Sequence, residues 1–79
     1  METIKQWYLK TYPDDELGRE LTDNAITSVD VYEMLKDGYD IYDDILQVDD
    51  SLIRERVFEK VSDDLHIPYD DIYELLFNN

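Results

Sequence analysis

Apolar residues recur at helix-turn-helix spacing in the last third of the chain, from Phe58 to Phe77. Such a motif packs two helices around a tight turn, so it needs apolar side chains at fixed places over about twenty residues. Those places are the fourth, eighth, tenth, fifteenth and eighteenth from Phe58, and they hold Val61, Leu65, Ile67, Ile72 and Leu75. We expect these side chains to be mostly buried and in mutual contact.

The predicted turn lies between two helices and centres on His66. Small Ser62 occupies the place where the helices would cross closely. Pro68 suits the first turn of a helix, because its missing N–H has no helical partner there. His66 stands where glycine is usual and is the one poor fit. A plain helical hairpin is the alternative.

The remaining pattern predicts short helices that begin at capping residues. Thr3 with Gln6, and Thr27, are expected to cap helices, while Gly38 is expected to end one. Asp40 and the segment 49–51 offer further caps. The predicted helices cover about 3–12, 14–21, 27–37, 41–47, 51–65 and 68–77. We therefore predict an all-α chain of five or six short helices, with residues 1–79 forming one acidic helical domain and a helix-turn-helix-like C-terminal hairpin.

Composition allows such a fold and excludes several classes of protein. Of the 79 residues, 43% are hydrophobic, which is enough for a small core. There is no cysteine, so disulfides and thiolate sites are excluded. No apolar run approaches the roughly 20 residues of a membrane-spanning helix, and the N-terminus has no signal-peptide pattern. A cytoplasmic location is the expectation.

The net charge of −14 changes the picture most. Self-repulsion on this scale destabilises a compact chain, and solubility needs a magnitude of only about 2–8. From Val61 to Asn79 there is no Lys or Arg. DNA binding depends on cations that displace counterions from phosphates. The predicted second helix would therefore repel DNA, and a basic protein surface is the expected partner.

One short pattern recurs three times, as an acid, a β-branched apolar residue, a tyrosine and a second acid. It covers 30–33, 40–43 and 71–74. The apolar residue is expected to face inward and the two acids to share a helix face. Between Asp30 and Asp50 there are eight acids and one base, Lys36. Preference of Asp for caps and first turns accounts for about half of these acids.

These acids and neighbouring tyrosines form the predicted partner-binding surface. Carboxylates there would imitate the spacing of phosphates, and the aromatic rings would add contacts that phosphates lack. The predicted residues are Asp30, Glu33, Asp37, Tyr39, Asp40, Tyr42, Asp43, Asp44, Asp70, Asp71 and Glu74.

No pattern predicts catalysis, a metal site or a cofactor. A calcium loop starting at Asp37 fails, because Tyr39 and Tyr42 occupy positions that need an acid and a glycine. The single histidine, His66, is expected to be structural. No nucleophile has a partner base, and no glycine loop could cradle phosphate, so the chain is not expected to be an enzyme.

The longest predicted helix carries three bases, Arg54, Arg56 and Lys60, among Glu55 and Glu59. Arg56 and Glu59 are spaced to pair on one helix face. We interpret this cluster as a solvated face whose charges compensate one another.

Trp7, the run 13–18 (PDDELG) and the run 51–60 (SLIRERVFEK) carry a resemblance. With them the chain resembles small uncharacterised proteins of phages and mobile elements of Gram-positive bacteria, a family to which we attach no activity. In size and charge alone it is similar to phage DNA-mimic inhibitors of the anti-CRISPR and anti-restriction types. That second likeness transfers no functional residue.

Together these features predict a binding protein that blocks a cationic nucleic-acid site on another protein by DNA mimicry. A Cas9-type nuclease is the preferred target, since its DNA-reading channels are rich in Arg and Lys. A restriction enzyme, a glycosylase or a repressor fits the charge equally well. The alternative is a small helical interaction or structural domain that binds through an apolar groove or as a homodimer.

Overall fold

The computed structural model describes residues 2–77 and is helical throughout, without a strand in that range. The prediction of a single small all-α domain is confirmed. Four α-helices are joined by one 3-10 helix and one π-helical turn. In chain order these are α1 (Ile4–Thr11), the 3-10 helix (Glu16–Glu20), α2 (Ser28–Lys36), the π-turn (Ile41–Leu46), α3 (Ser51–Leu65) and α4 (Tyr69–Glu74).

Four of the helical segments begin at the capping residues that the sequence indicates. Thr3 and Gln6 form a reciprocal capping box on α1, and Thr27 forms one with Asp30 on α2. Asp40 caps the π-turn, and Asp50 caps α3 by accepting from the amide of Ile53 at 3.0 Å. Each cap satisfies amides that the first turn leaves without a helical partner.

Helix α2 ends in a Schellman motif. Gly38 has a φ of 91°, which glycine adopts without steric cost. Its amide donates to the carbonyl of Leu35 at 3.1 Å, and the amide of Tyr39 donates to that of Met34 at 3.0 Å. The predicted stop at Gly38 is therefore confirmed, and the backbone of Tyr39 is fixed directly after it.

The core lies where α2, α3, α4 and the π-turn meet, with α1 packed against it. It is built of aliphatic side chains around Phe58, together with Tyr8 of α1, both with no exposed surface. The fully buried members on α2 and α3 recur at helical spacing, so that they share one face of each helix: Val31, Leu35, Ile53, Val57 and Val61.

The C-terminal hairpin forms as predicted, but its apolar side chains are buried to different depths. Val61 and Ile72 are fully buried. Leu65, Ile67 and Leu75 are partly buried and pack against the core, so none of the five is largely exposed, but these three are less completely enclosed than Val61 and Ile72. A chain this small has too little interior to enclose every side chain of a terminal hairpin.

The turn of the hairpin explains the poor fit of His66. This residue adopts the left-handed conformation, with φ 56° and ψ 40°, that the usual glycine would supply. Histidine is among the non-glycine residues enriched in that region. The Ser62 Oγ donates to the carbonyl of Ile67 at 2.6 Å, which ties the turn back to α3.

Three segments differ from their predicted form. The predicted helix at 14–21 is a 3-10 helix, and Gly18 within it is buried against the ring of Tyr8. In the predicted helix 41–47 the amide of Ile45 donates to the carbonyl of Asp40 at 3.1 Å, which is the span of a π-turn. The last helix ends at Glu74 and continues to Phe77 only as turns.

Candidate functional site

The three copies of the acid–apolar–tyrosine–acid pattern have the same depth profile. The apolar members, Val31, Ile41 and Ile72, have exposed fractions of 0%, 3% and 0%. Each following tyrosine is half-buried, and each flanking acid is exposed. The predicted inward direction of the apolar residue is confirmed. Each copy therefore displays two carboxylates beside a partly covered phenol ring.

All the predicted partner-binding residues except Tyr42 are exposed, and Tyr42 is half-buried. Tyr39 stands out among them, because 49% of its surface is exposed although it is a large aromatic residue. The surface thus combines acids with an aromatic residue that is half exposed. The acids themselves fall into two groups by what they contact.

The acids of the first group accept hydrogen bonds from nearby backbone amides. Asp30 accepts from the amide of Thr27 at 3.0 Å, and Asp40 Oδ1 accepts from the amides of Tyr42 and Asp43, both at 2.8 Å. Asp44 Oδ2 accepts from the amide of Asp40 at 2.9 Å. These bonds hold the starts of α2 and the π-turn, so these acids are explained by folding alone.

The second group has no such role. The carboxylates concerned make no hydrogen bond or ion pair with any of residues 2–77: Asp37, Asp43, Asp70, Asp71 and Glu74. Glu33 belongs to neither group, because it caps no helix but forms an ion pair with Lys36 at 3.4 Å on the same helix. The acids without an intramolecular partner are the stronger candidates for an intermolecular one.

A groove of about 350 Å³ connects the two parts of the predicted surface. It lies between the end of α2, the start of the π-turn and the turn that follows α4. Its lining consists of Leu35, Leu76 and the run from Gly38 to Tyr42. The fold therefore brings the segment after α4 against the segment around Tyr39, although 37 positions separate Tyr39 from Leu76 in the sequence.

The bases of α3 are engaged in tertiary contacts, so their interpretation as a self-compensating solvated face is wrong. The Arg56 Nη1 lies 3.3 Å from Asp15 Oδ2 and donates to the phenol oxygen of Tyr8 at 2.9 Å. Its guanidinium also lies 4.0 Å from the centroid of the Tyr12 ring. Asp15, from a different part of the chain, takes the place that Glu59 was expected to hold.

Arg54 and Lys60 each have one partner on α3 and one aromatic ring from another helix. Arg54 lies over the Phe58 and Tyr73 rings, at 5.5 and 5.1 Å from their centroids. Lys60 pairs with Asp64 at 3.1 Å and lies 5.5 Å from the centroid of Trp7. These cation–π contacts fix the long side chains against aromatic rings. The sequence analysis did not identify the Lys60–Asp64 pair, although its i, i+4 spacing is a signal that indicates such a pair, whereas the ring partners come from tertiary packing.

Two titrating groups are shifted by these contacts. Burial, together with the hydrogen bond to Asp15, raises the pKa of Tyr8 to about 12, although Arg56 opposes the shift. For Asp64, burial acts upward, but the hydrogen bonds from Ser28 and Lys60 prevail and lower its pKa. The Ser28 Oγ donates to Asp64 Oδ2 at 2.6 Å and so ties the start of α2 to α3.

A second groove, of about 400 Å³, lies beside the Arg56 network. Its lining includes Tyr12, Pro13, Leu52 and Arg56, and 49% of the Leu52 surface is exposed. Within residues 2–77 no group of His, Asp or Glu side chains is placed to hold a metal ion. None of the helices in that range has the length and apolar character needed to cross a membrane.

Comparison with protein-family models, with curated proteins and with solved structures finds no match to this chain.

Proposed function

We propose that this protein binds a cationic nucleic-acid site on another protein and blocks it by imitating phosphate charge. The observation that carries the proposal is the set of five exposed carboxylates on α4 and around the π-turn that have no partner within residues 2–77. A folded chain gains no stability from such groups, and their mutual repulsion opposes folding. A basic partner would compensate that repulsion on binding.

The distribution of bases supports the same proposal. Five ion pairs bind Lys5, Lys10, Lys36, Arg56 and Lys60 to acids of this chain. Of these bases, only Lys36 belongs to the region from Asp30 to Asp50 or to the segment after Val61. The negative potential of that region is therefore almost uncompensated, and it would attract a basic surface over distances near the Debye length, about 8 Å at physiological salt.

The mechanism is competition, without chemistry on the partner. Occupation of a channel lined by Arg and Lys would exclude DNA sterically and electrostatically. Complementary charge would act mainly on the association rate and would make binding salt-dependent. A Cas9-type nuclease is the preferred target, so the protein would be an anti-CRISPR inhibitor that acts in the bacterial cytoplasm. A restriction enzyme, a glycosylase or a repressor would be blocked in the same way.

Two charge-matched variants test the surface. The first combines Asp37→Asn, Asp43→Asn, Asp70→Asn and Asp71→Asn, which leaves the capping acids untouched. The control combines Asp14→Asn, Glu16→Gln, Glu20→Gln and Glu55→Gln, which are exposed acids outside the proposed surface. Both variants lose four negative charges, so a difference between them reports position and not net charge.

The readout is inhibition of DNA cleavage by a panel of Cas9-type nucleases and restriction enzymes, at low and high salt. We expect the first variant to lose inhibition of the sensitive enzyme at least tenfold, and the control to lose much less. Circular dichroism and urea unfolding establish that both variants fold. Equal potency and equal salt dependence of the two variants would contradict the proposed surface. Binding to DNA itself in place of the enzyme would contradict mimicry.

The second groove supports the alternative, a domain that binds an apolar segment or a second copy of the chain. Its exposed Leu52 lies beside Tyr12 and Pro13. Apolar association of this kind changes little with salt, whereas mimicry weakens steeply as salt rises. A pull-down from bacterial lysate, eluted with a salt gradient, separates the two. Sedimentation at several protein concentrations tests the homodimer directly.

A further inference from the structure

The groove between Tyr39 and Leu76 is concave and lined mainly by aliphatic and aromatic residues, unlike the rest of the acidic surface. Leu35 and Ile41, which line it, are buried core residues. Tyr39 and Tyr42 supply aromatic rings, and Leu76 closes the side that α4 leaves open. A groove with aromatic and aliphatic walls suits a side chain that has a long apolar stem.

The polar member of the groove is oriented by the backbone. Asp40 Oδ1 accepts from the amides of Tyr42 and Asp43, both at 2.8 Å, which fixes the carboxylate plane. Its second oxygen, Oδ2, accepts no hydrogen bond from residues 2–77. The lining of the groove therefore includes a carboxylate that keeps one oxygen without a hydrogen bond from residues 2–77, together with Tyr39 and Tyr42.

The backbone of Tyr39 is also held by a hydrogen bond, although its side chain is half exposed. The Schellman motif at Gly38 holds the Tyr39 amide on the carbonyl of Met34 at 3.0 Å. The nearest base, Lys36, is engaged with Glu33 at 3.4 Å and with the Tyr32 ring at 4.8 Å. Within residues 2–77 no Lys, Arg or His lines the groove. The described lining is therefore acidic and aromatic, without a cation from those residues.

We propose that this groove binds one arginine side chain of the basic partner. The inference rests on the proposed function and specifies its anchor. The guanidinium would stack on a tyrosine face and donate to Asp40 Oδ2, while its methylene stem would pack against Leu76. Arginine fits better than lysine, because its planar group stacks on rings and donates several hydrogen bonds in fixed directions. The surrounding acids would steer the partner, and the groove would set its register.

The test uses the full-length protein labelled with ¹⁵N and an acetylated, amidated peptide of sequence Gly-Gly-Arg-Gly-Gly. Amide shifts are followed during titration at low salt. We expect saturable shifts concentrated at residues 38–42 and at Leu76. The same peptide with citrulline in place of arginine keeps the shape but lacks the charge, and we expect it to bind at least tenfold more weakly. The lysine peptide should bind more weakly than the arginine peptide.

Two variants at positions with the same exposed fraction locate the site. Tyr39 and Leu52 are each 49% exposed, and Leu52 lines the other groove. Tyr39→Ala should weaken binding of the arginine peptide at least fivefold, and Leu52→Ala should leave it unchanged. Amide shifts outside residues 34–46 report whether each variant keeps the fold. Small shifts spread evenly over all acidic segments would overturn the proposal, as would unchanged binding by Tyr39→Ala.

The failure of this inference can be told apart from the failure of the proposed function. If the arginine peptide does not select the groove but the four-acid variant still loses inhibition, the acidic surface acts without an arginine anchor. If the peptide binds the groove and no nucleic-acid-binding enzyme is inhibited, the groove recognises arginine in another kind of partner.

Discussion

The phenol oxygen of Tyr8 on α1 lies 2.9 Å from the Arg56 Nη1 on α3 and 2.5 Å from Asp15 Oδ2, just before the 3-10 helix. One fully buried tyrosine thus joins α1, the start of the 3-10 helix and the distant helix α3. The network also places the guanidinium of Arg56 against the Tyr12 ring. It ties α1 to α3 and neutralises a base that would otherwise weaken the acidic character of the surface.

Removal of the phenol group should show this coupling. Tyr8→Phe should lower the free energy of unfolding at pH 7 by about 1–3 kcal/mol, because a buried hydrogen bond with charged partners is lost. Urea unfolding measures the change. Tyr32→Phe is the control, since its hydroxyl has no hydrogen bond to residues 2–77. Equal effects of the two substitutions would contradict the role of the network.

The same variant carries a pH signature. The folded-state pKa of Tyr8, about 12, lies above its ordinary value of 10.0, so the folded state holds this proton more tightly than the unfolded state. The contribution is therefore complete below pH 10 and is lost as pH rises from about 10 to 12. The stability difference between the wild type and Tyr8→Phe should shrink over that range. A constant difference from pH 7 to pH 11 would show that Tyr8 is not coupled to the fold in this way.

Gly18 should resist even the smallest side chain. A Cβ at this position would lie 2.7 Å from Cδ1 of Tyr8, which the buried ring cannot accommodate without a shift. We expect Gly18→Ala to destabilise the protein by about 1–3 kcal/mol through overpacking. Glu20→Ala, exposed in the same 3-10 helix, should change stability by less than about 0.5 kcal/mol. Thermal or urea unfolding of both decides the matter.

Two large-to-small substitutions in the C-terminal hairpin should lower the free energy of unfolding by different amounts. Ile72 is fully buried and Leu65 is half-buried. Ile72→Ala should therefore cost about 2–5 kcal/mol, in the range for a core cavity, and Leu65→Ala should cost less. Equilibrium unfolding in urea gives both values. A larger loss for Leu65→Ala would mean that the turn, and not the α3–α4 contact, dominates the hairpin.

Despite its helical hairpin, the protein should not bind duplex DNA. The positions of α4 that a DNA-binding helix would present to the major groove include Asp70, Asp71 and Glu74, which are exposed and have no base nearby in sequence. Phosphate repulsion should prevent a gel shift at moderate salt. A saturable shift with purified protein, competed by unlabelled DNA, would refute the charge argument.

Local signals in the sequence determined where most elements begin and end. Thr3, Thr27, Asp40 and Asp50 cap their segments because short polar side chains accept from free amides regardless of tertiary context. Gly38 ends α2 because a left-handed residue is needed there. Apolar spacing likewise identified the buried stripes, since burial of those residues is what stabilises a short helix. The all-α fold follows from such local rules.

Local sequence signals did not predict the contacts between distant segments. The spacing of Arg56 and Glu59 permits a pair on one helix, but only the packing of α1 on α3 decides that Asp15, Tyr8 and Tyr12 surround Arg56 instead. The burial of Gly18 also depends on tertiary packing, because a residue without a side chain is needed where the Tyr8 ring approaches the backbone. In each contact the two residues lie beyond one helical turn of each other in sequence, so local conformational preferences do not predict it.

Some properties of the candidate surface were likewise determined by the sequence and others by the tertiary structure. Composition alone determined that it is acidic and rich in tyrosine, since charge and residue type do not depend on folding. The Asp40 cap was evident from local sequence, but only the tertiary structure decided which acids have no partner within residues 2–77, as is the case for Asp37. It also decided that Leu76 meets Tyr39 across a groove. Burial of Ile72 in the shared core draws the chain back to α2, and that long-range packing brings the two segments together.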